Sequence, residues 1–284
     1  MKFIITLIFL ISFTFAQESI INITSDTSSI TDFKLDYFID KTQKMDFEEV
    51  KSQKFTQGKN KDCLGAKIIN VWIKIKLVNL TDKPQKLYLH QDIAYFFRKM
   101  NYFEVDEKGI LLRKQEKNIS HSPQSVLDGS NAIFKFMLEA KEIKTIYVNE
   151  QTYAYHFYSF SLFGEKNSSE YLVYEKVDIV FFVGLLLALA LYNFFIFISS
   201  GYKEYLYYSL YIFSAIIWIV YMYGVLAHYL NIYGVTSYRF TAGLLFSAIF
   251  LSLFIQTLVN TRTDYKTGET TNIRGYGDLS IFSL

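Results

Sequence analysis

Four histidines, His90, His121, His156 and His228, and one cysteine, Cys63, are the side chains with which this chain could hold a metal or activate a nucleophile. Imidazole and thiolate ligands act when three or four converge, and on a helix or strand that leaves a short spacing such as HxxxH in the sequence. These five are dispersed, with no HxxxH and no paired-carboxylate spacing among them. No GxSxG elbow, no phosphate-cradling glycine loop and no Cys/His frame occurs. The expectation is therefore no enzyme, no metal and no cofactor. What remains is recognition by aromatic faces, which stack on a sugar ring or another flat apolar surface. Trp72 points away from its neighbours Ile73 and Ile75, and Tyr153, Tyr155 and Phe157 share one face of a later stretch. The candidate ligand-binding residues are Trp72, Tyr153 and Tyr155, although a second packed sheet face accounts for these rings equally well. Asn193 stands alone inside an apolar run. An amide there must face another helix and hydrogen-bond to it, a gain of about 0.6 to 2 kcal/mol, which makes Asn193 the candidate helix-packing polar residue.

The elements that would carry these residues divide sharply. Val71–Leu80 reads VWIKIKLVNL, with Val71, Ile73, Ile75 and Leu77 on one side and Lys74 and Lys76 on the other, the period of two of a half-buried strand. Weaker strands are expected at Lys34–Ile39, Lys86–His90, Ala132–Leu138, Thr145–Val148 and Tyr153–Phe163, with polar turns such as Asn79–Pro84 and Leu127–Asn131 between them. Many short strands with turn signals predict an antiparallel sandwich over residues 17–170. With a single cysteine the domain can form no internal disulfide. The net charge of +2 and the absence of a basic stripe exclude nucleic acid as a partner.

Residues 1–16 read as a cleaved signal peptide, with Lys2, the apolar run Phe3–Phe15, and small residues Thr14 and Ala16 at the positions a signal peptidase reads. An uncleaved anchor is the alternative, and the run is short for that. Residues 177–260 hold only four charged side chains, Asp178, Lys203, Glu204 and Arg239. Within them, spans are expected at 177–198, 205–229 and 240–258, after a linker at 171–176 and before a cytoplasmic tail at 261–284. Because the sandwich is exported, the first span runs inward. The knot Ser199–Glu204 is then cytoplasmic, and Arg262, Lys266 and Arg274 in the tail agree with it.

Tyr37-Phe38-Ile39-Asp40, Phe47-Glu48-Glu49-Val50, Leu64-Gly65 and Val71-Trp72-Ile73-Lys74, taken in order, resemble the type 2 periplasmic domain of bacterial seven-transmembrane receptors with diverse intracellular signalling modules (7TMR-DISM). Gly184, Leu191-Tyr192-Asn193, Tyr205-Leu206-Tyr207-Tyr208 and Gly224 resemble the membrane part of the same family, so that the likeness runs from about Ser29 to Tyr265. The resemblance implies an all-β, jelly-roll-like periplasmic sandwich followed by α-helical transmembrane segments, three spans of an expected seven. It also implies a small-molecule or carbohydrate ligand in the periplasm, and coupling through the helices to a cytoplasmic kinase, cyclase or phosphatase. The family's last four spans and output domain have no counterpart before residue 284, which fits a truncated gene, a frameshift or a fragmentary gene model. The expected place is the bacterial inner (cytoplasmic) membrane, multi-pass, with the bilayer as partner and a homodimer compatible. A membrane-tethered binding or scaffold protein without signalling is the alternative function. Asparagine sequons occur at Asn22, Asn79, Asn118 and Asn167, the last two with an acidic residue two positions before.

Overall fold

The computed structural model describes residues 19–24, 29–119, 127–153, 155–230, 232–244, 249 and 251–257. The expected signal peptide at 1–16 and tail at 261–284 lie outside them. The chain forms two units, Met1–Glu170 and Tyr171–Leu284.

The first unit is a β-sandwich. One sheet runs in the order β4 (Thr56–Lys59), β3 (Lys34–Ile39), β6 (Asn70–Asn79), β12 (Ile143–Gln151), β8 (Lys99–Val105) and β9 (Leu111–Lys117), and β1 (Ile20–Ile23) lies parallel on β6 beyond the end of β3. The other runs β10 (Leu127–Asp128), β11 (Asn131–Leu138), β7 (Gln85–Gln91), β13 (Tyr155–Gly164) and β2 (Ser29–Ile30), with β5 (Lys61–Ala66) on the earlier half of β13. All pairings but that of β1 are antiparallel. The alternation in β6 sets the inner face: Val71, Ile73, Ile75 and Leu77 are buried between the sheets. Leu87, Leu89, Phe134, Phe136, Tyr158, Phe160 and Leu162 from the second sheet are buried with them. The six strands expected from the sequence are present: β3 has the expected bounds, β6 is shifted by one residue, β7 and β11 are slightly longer, β12 extends well beyond Thr145–Val148, and β13 begins at Tyr155 rather than Tyr153.

The outer face of the first sheet is also covered. The covering element is α1 (Phe47–Lys51), a helix of barely more than one turn held by a capping box. Asp46 accepts from the backbone N–H of Glu49 at 2.9 Å, and Glu49 accepts from that of Asp46 at 3.1 Å, which satisfies two otherwise orphaned donors. Its buried residues Phe47 and Val50 join Trp72, Phe103, Val105 and Tyr147 in a second apolar cluster, with Phe38 and Phe55 at its margin.

Helix α2 spans Glu165–Ser200 and begins at the residue after β13 ends. Residues 171–176, expected as a linker, are therefore helical, and the first span is part of a longer helix than 177–198. No Gly or Pro interrupts 165–183, so nothing in those residues stops the helix once β13 delivers the chain. In the second unit α2 is followed after Gly201 and Tyr202 by α3 (Lys203–Met222), α4 (Val225–Leu230) and α5 (Gly234–Leu244). Gly201 ends α2 with φ +74° and donates its N–H to Phe197 O at 2.8 Å, a left-handed cap that side-chain-bearing residues resist. The expected span 205–229 is divided at Tyr223 and Gly224, where Gly224 takes φ +70°. Among the described residues two helices, α2 and α3, are long and apolar enough to cross a bilayer, rather than the three expected. The third run, 240–258, lies partly outside the described residues.

Candidate ligand-binding site and its junction with the first helix

Trp72 is only 2% exposed, on the outer face of β6 beneath α1. Phe47 from α1 lies 6.5 Å from the indole, stacks on Phe103 at 4.5 Å and meets Tyr147 edge-on at 5.5 Å. Three lysine ammonium groups stand over the rim of the cluster, Lys51 on Phe47, Lys74 on Phe55 and Lys114 on Phe103.

Beside these rings runs a line of amides. Register places Trp72 of β6, Asn149 of β12 and Asn101 of β8 side by side across three strands. Asn101 donates to Asn149 Oδ1 at 3.3 Å, Asn149 to Asn70 Oδ1 at 2.6 Å, and Asn70 to Asp40 Oδ2 at 2.8 Å. The Asp40 carboxylate also accepts from the N–H and hydroxyl of Thr42 and the N–H groups of Gln43 and Met45. Burial alone raises its pKa, but the bonds from Thr42, Met45 and Gln43 outweigh it and hold the carboxyl below its ordinary value. At either side of Asn149 one group is left over: Trp72 Nε1, a donor, and Asn101 Oδ1, an acceptor, are buried without a hydrogen-bond partner among the described residues. Buried polar groups are normally paired, so this row beside the aromatic cluster carries one unfilled donor and one unfilled acceptor.

Tyr153 and Tyr155 lie elsewhere. Tyr153 is half-buried ahead of β13, and Tyr155 is exposed on the second sheet, 5.9 Å from Phe96 in the turn that follows β7. They do not converge with Trp72, which belongs to the other sheet. Asn193 is buried at 6%, and its amide donates to Leu189 O of its own helix at 2.8 Å. Between α2 and α3 it is Ser209 whose hydroxyl donates across, to Ala190 O at 2.9 Å. Phe103, Tyr147, Asn70, Asn101 and Asn149 carry no local signal in the sequence, and Phe47 stands in it only as part of the family likeness. The capping-box spacing Asp46–Glu49 was the available signal for α1.

Where β13 gives way to α2, the first turns of the helix are seated on the second sheet. Glu165 pairs with Lys86 and accepts from Tyr88 Oη at 3.1 Å, and Ser168 Oγ lies 2.8 Å from His90 Nε2. His90 is fully buried, edge-on to the Phe163 ring at 4.9 Å, and burial pushes its pKa down to about 4 against the opposing field of Asp128.

The family model described as "7TMR-DISM extracellular 2" matches residues 33–163, the body of the sandwich, and that described as "7TM diverse intracellular signalling" matches 177–277. The chain belongs to the 7TMR-DISM family. Its two domains are thus those of a membrane receptor with an extracellular sensing domain ahead of the membrane part. No curated protein matches the 7TMR-DISM chain. Among solved structures, a 1.0 Å crystal structure of the pre-peptidase C-terminal domain of a collagenase from Bacillus anthracis aligns at 8% identity, covering 51% of this chain and 92% of its own, with a TM-score of 0.24. At that score the likeness bears on neither fold nor function.

Proposed function

We propose that the sandwich is the ligand-sensing input of a signal-transduction receptor in the bacterial inner membrane. It takes a small ligand of carbohydrate class at the Trp72–Asn149–Asn101 row and passes its state to the membrane through β13 and α2. The jelly-roll winding expected of the family fits a ligand face of this kind. The observation that carries the reading is the junction: β13 enters α2 with no residue between them, and the first turns of the helix are pinned to strand β7 of the same sheet. The ligand row lies on the first sheet and the junction on the second, so a change on binding ligand has to cross the shared core, where Glu150 of β12 meets His156 of β13, to move the start of the helix. The ligand has to bind two sheet states with different affinity, since equal affinity shifts no population.

The coupling is tested in a chimeric receptor with a cyclase output domain fused after the membrane part. A ten-residue Gly-Ser insertion after Ser169 adds about 17 Å of mean reach. Binding by the sandwich should survive and ligand-dependent output should be lost. Normal output despite the insertion refutes transmission through the junction and favours a tethered scaffold or another contact. The ligand class is tested with the Trp218→Phe chain, in which Trp72 is the one remaining tryptophan. A panel of mono- and oligosaccharides should include one that changes its fluorescence saturably. A panel without effect sinks the carbohydrate assignment.

A further inference from the structure

His90 lies outside the ligand row, on the other sheet. It sits on the outer face of β7, opposite Ser161 of β13 and Ile133 of β11, and is fully shielded from solvent with the first turns of α2 over it. On its own strand are Lys86 and Tyr88; β13 offers the Phe163 ring and Ser161; β11 carries Lys135 opposite Tyr88; β10 carries Asp128; and α2 supplies Ser168 and Glu165. One of these contacts, Ser168 to His90, joins a titratable ring directly to the helix that leads into the membrane.

We propose that this seat is an acid-released clamp, in which protonation of His90 frees the first turns of α2 from the second sheet and so gives the receptor a second input, the acidity of the medium outside the membrane. An imidazolium sealed under α2 has lost its hydration, and that loss outweighs the attraction of Asp128. Lifting the first turns of the helix returns water to the ring. The seated form therefore holds a neutral ring, and the released form binds the proton. The sign follows from linkage: the folded value is depressed, so the seat is intact above the ordinary imidazole value and is lost as pH falls toward the depressed one. With 6.5 for a released imidazole and about 4 for the seated one, release gains about 30-fold between about pH 7.5 and about pH 5. The Glu165 pair with Lys86 and Tyr88 holds the same turn from the side and fixes how large the released fraction is at neutral pH.

The test uses the full chain in lipid nanodiscs, with Cys63→Ser and a spin label at Glu170→Cys, an exposed position in the first turns of α2. Label mobility should rise reversibly between pH 7.5 and pH 5. His90→Gln keeps a side-chain amide for Ser168 but does not titrate, and should remove the pH response. Should that variant fail to show a cooperative melt, His90→Asn is used in its place. Glu165→Gln should raise mobility at both pH values while keeping the response. A wild-type label whose mobility does not change over this range, or a response that persists in the non-titrating variant, overturns the proposal. Because the readout involves no ligand, its failure leaves the carbohydrate reading standing, and failure of that reading leaves the clamp intact.

Discussion

Glu150 and His156 meet between the two sheets, with His156 Nε2 3.0 Å from Glu150 Oε2 and neither side chain exposed. Burial raises the Glu150 pKa, and the hydrogen bond and charge of His156 oppose it without cancelling it. A carboxyl whose folded value is raised favours folding only while it stays protonated. Its contribution is present below the unfolded value of 4.5 and is lost as pH rises through the folded one. Glu150→Gln, which does not ionise, should therefore shift stability more favourably near pH 7.5 than near pH 4.5, read from urea midpoints at both. An equal change at the two pH values would contradict burial as the cause. Asn79 shows the opposite economy. Its amide donates to the carbonyls of Lys83, Leu138 and Glu139, and its Oδ1 accepts from the N–H and hydroxyl of Thr81, so one buried side chain ties the β6–β7 turn to the end of β11. Asn79→Ala should cost about 3 kcal/mol in the same assay, because the turn and the end of β11 lose the buried amide that joins them. In the sequence Asn79 is merely a sequon. Its structural use depends on carbonyls 59 and 60 residues away, which no local pattern announces.

Strand β6 was readable because only its inner face is apolar in sequence, and alternation survives wherever one face is polar. Strand β8, Lys99–Val105, escaped notice for the converse reason: Met100 and Tyr102 face the core while Phe103 faces the cluster under α1, so both sides are buried and the period vanishes. Strand β9, with Leu111 and Leu112 followed by charged residues, has no alternation because it is an exposed edge. The residues around Trp72 are scattered for the same cause, since they come from four strands and a short helix and meet only through register. A helix as short as α1 has no intrinsic stability in water and must rely on its cap and its two buried side chains. Asp46→Ala should lower stability by about 1 kcal/mol, and Phe47→Ala by about 3 to 5 kcal/mol, in chemical denaturation. A Phe47→Ala cost below about 1 kcal/mol would show that the outer cluster is loosely closed.

At the scale of the whole molecule, the division between an outer β domain and inner helices was legible from charge alone, because a bilayer tolerates so few charged side chains that their absence over residues 177–260 is a signal in itself. Residues 171–176 are not legible as helix in the sequence, because polar helix and polar linker have the same composition. Orientation can be checked with thiols. Cys63 is exposed on β5, so a membrane-impermeant maleimide should label it in intact spheroplasts. In a Cys63→Ser chain, Tyr202→Cys, in the exposed connection between α2 and α3, should be labelled only after lysis. Labelling of Tyr202→Cys before lysis would invert the topology. The place of β13 has a mechanical consequence as well. It is flanked by β7 on one side and by β5 and β2 on the other, and it is the strand to which α2 is spliced. Tension applied through α2 along the axis of β13 would strain these lateral bonds together, in shear, where an edge strand pulled sideways would unzip them one at a time. Such a joint resists steady pulling while still conveying a small displacement.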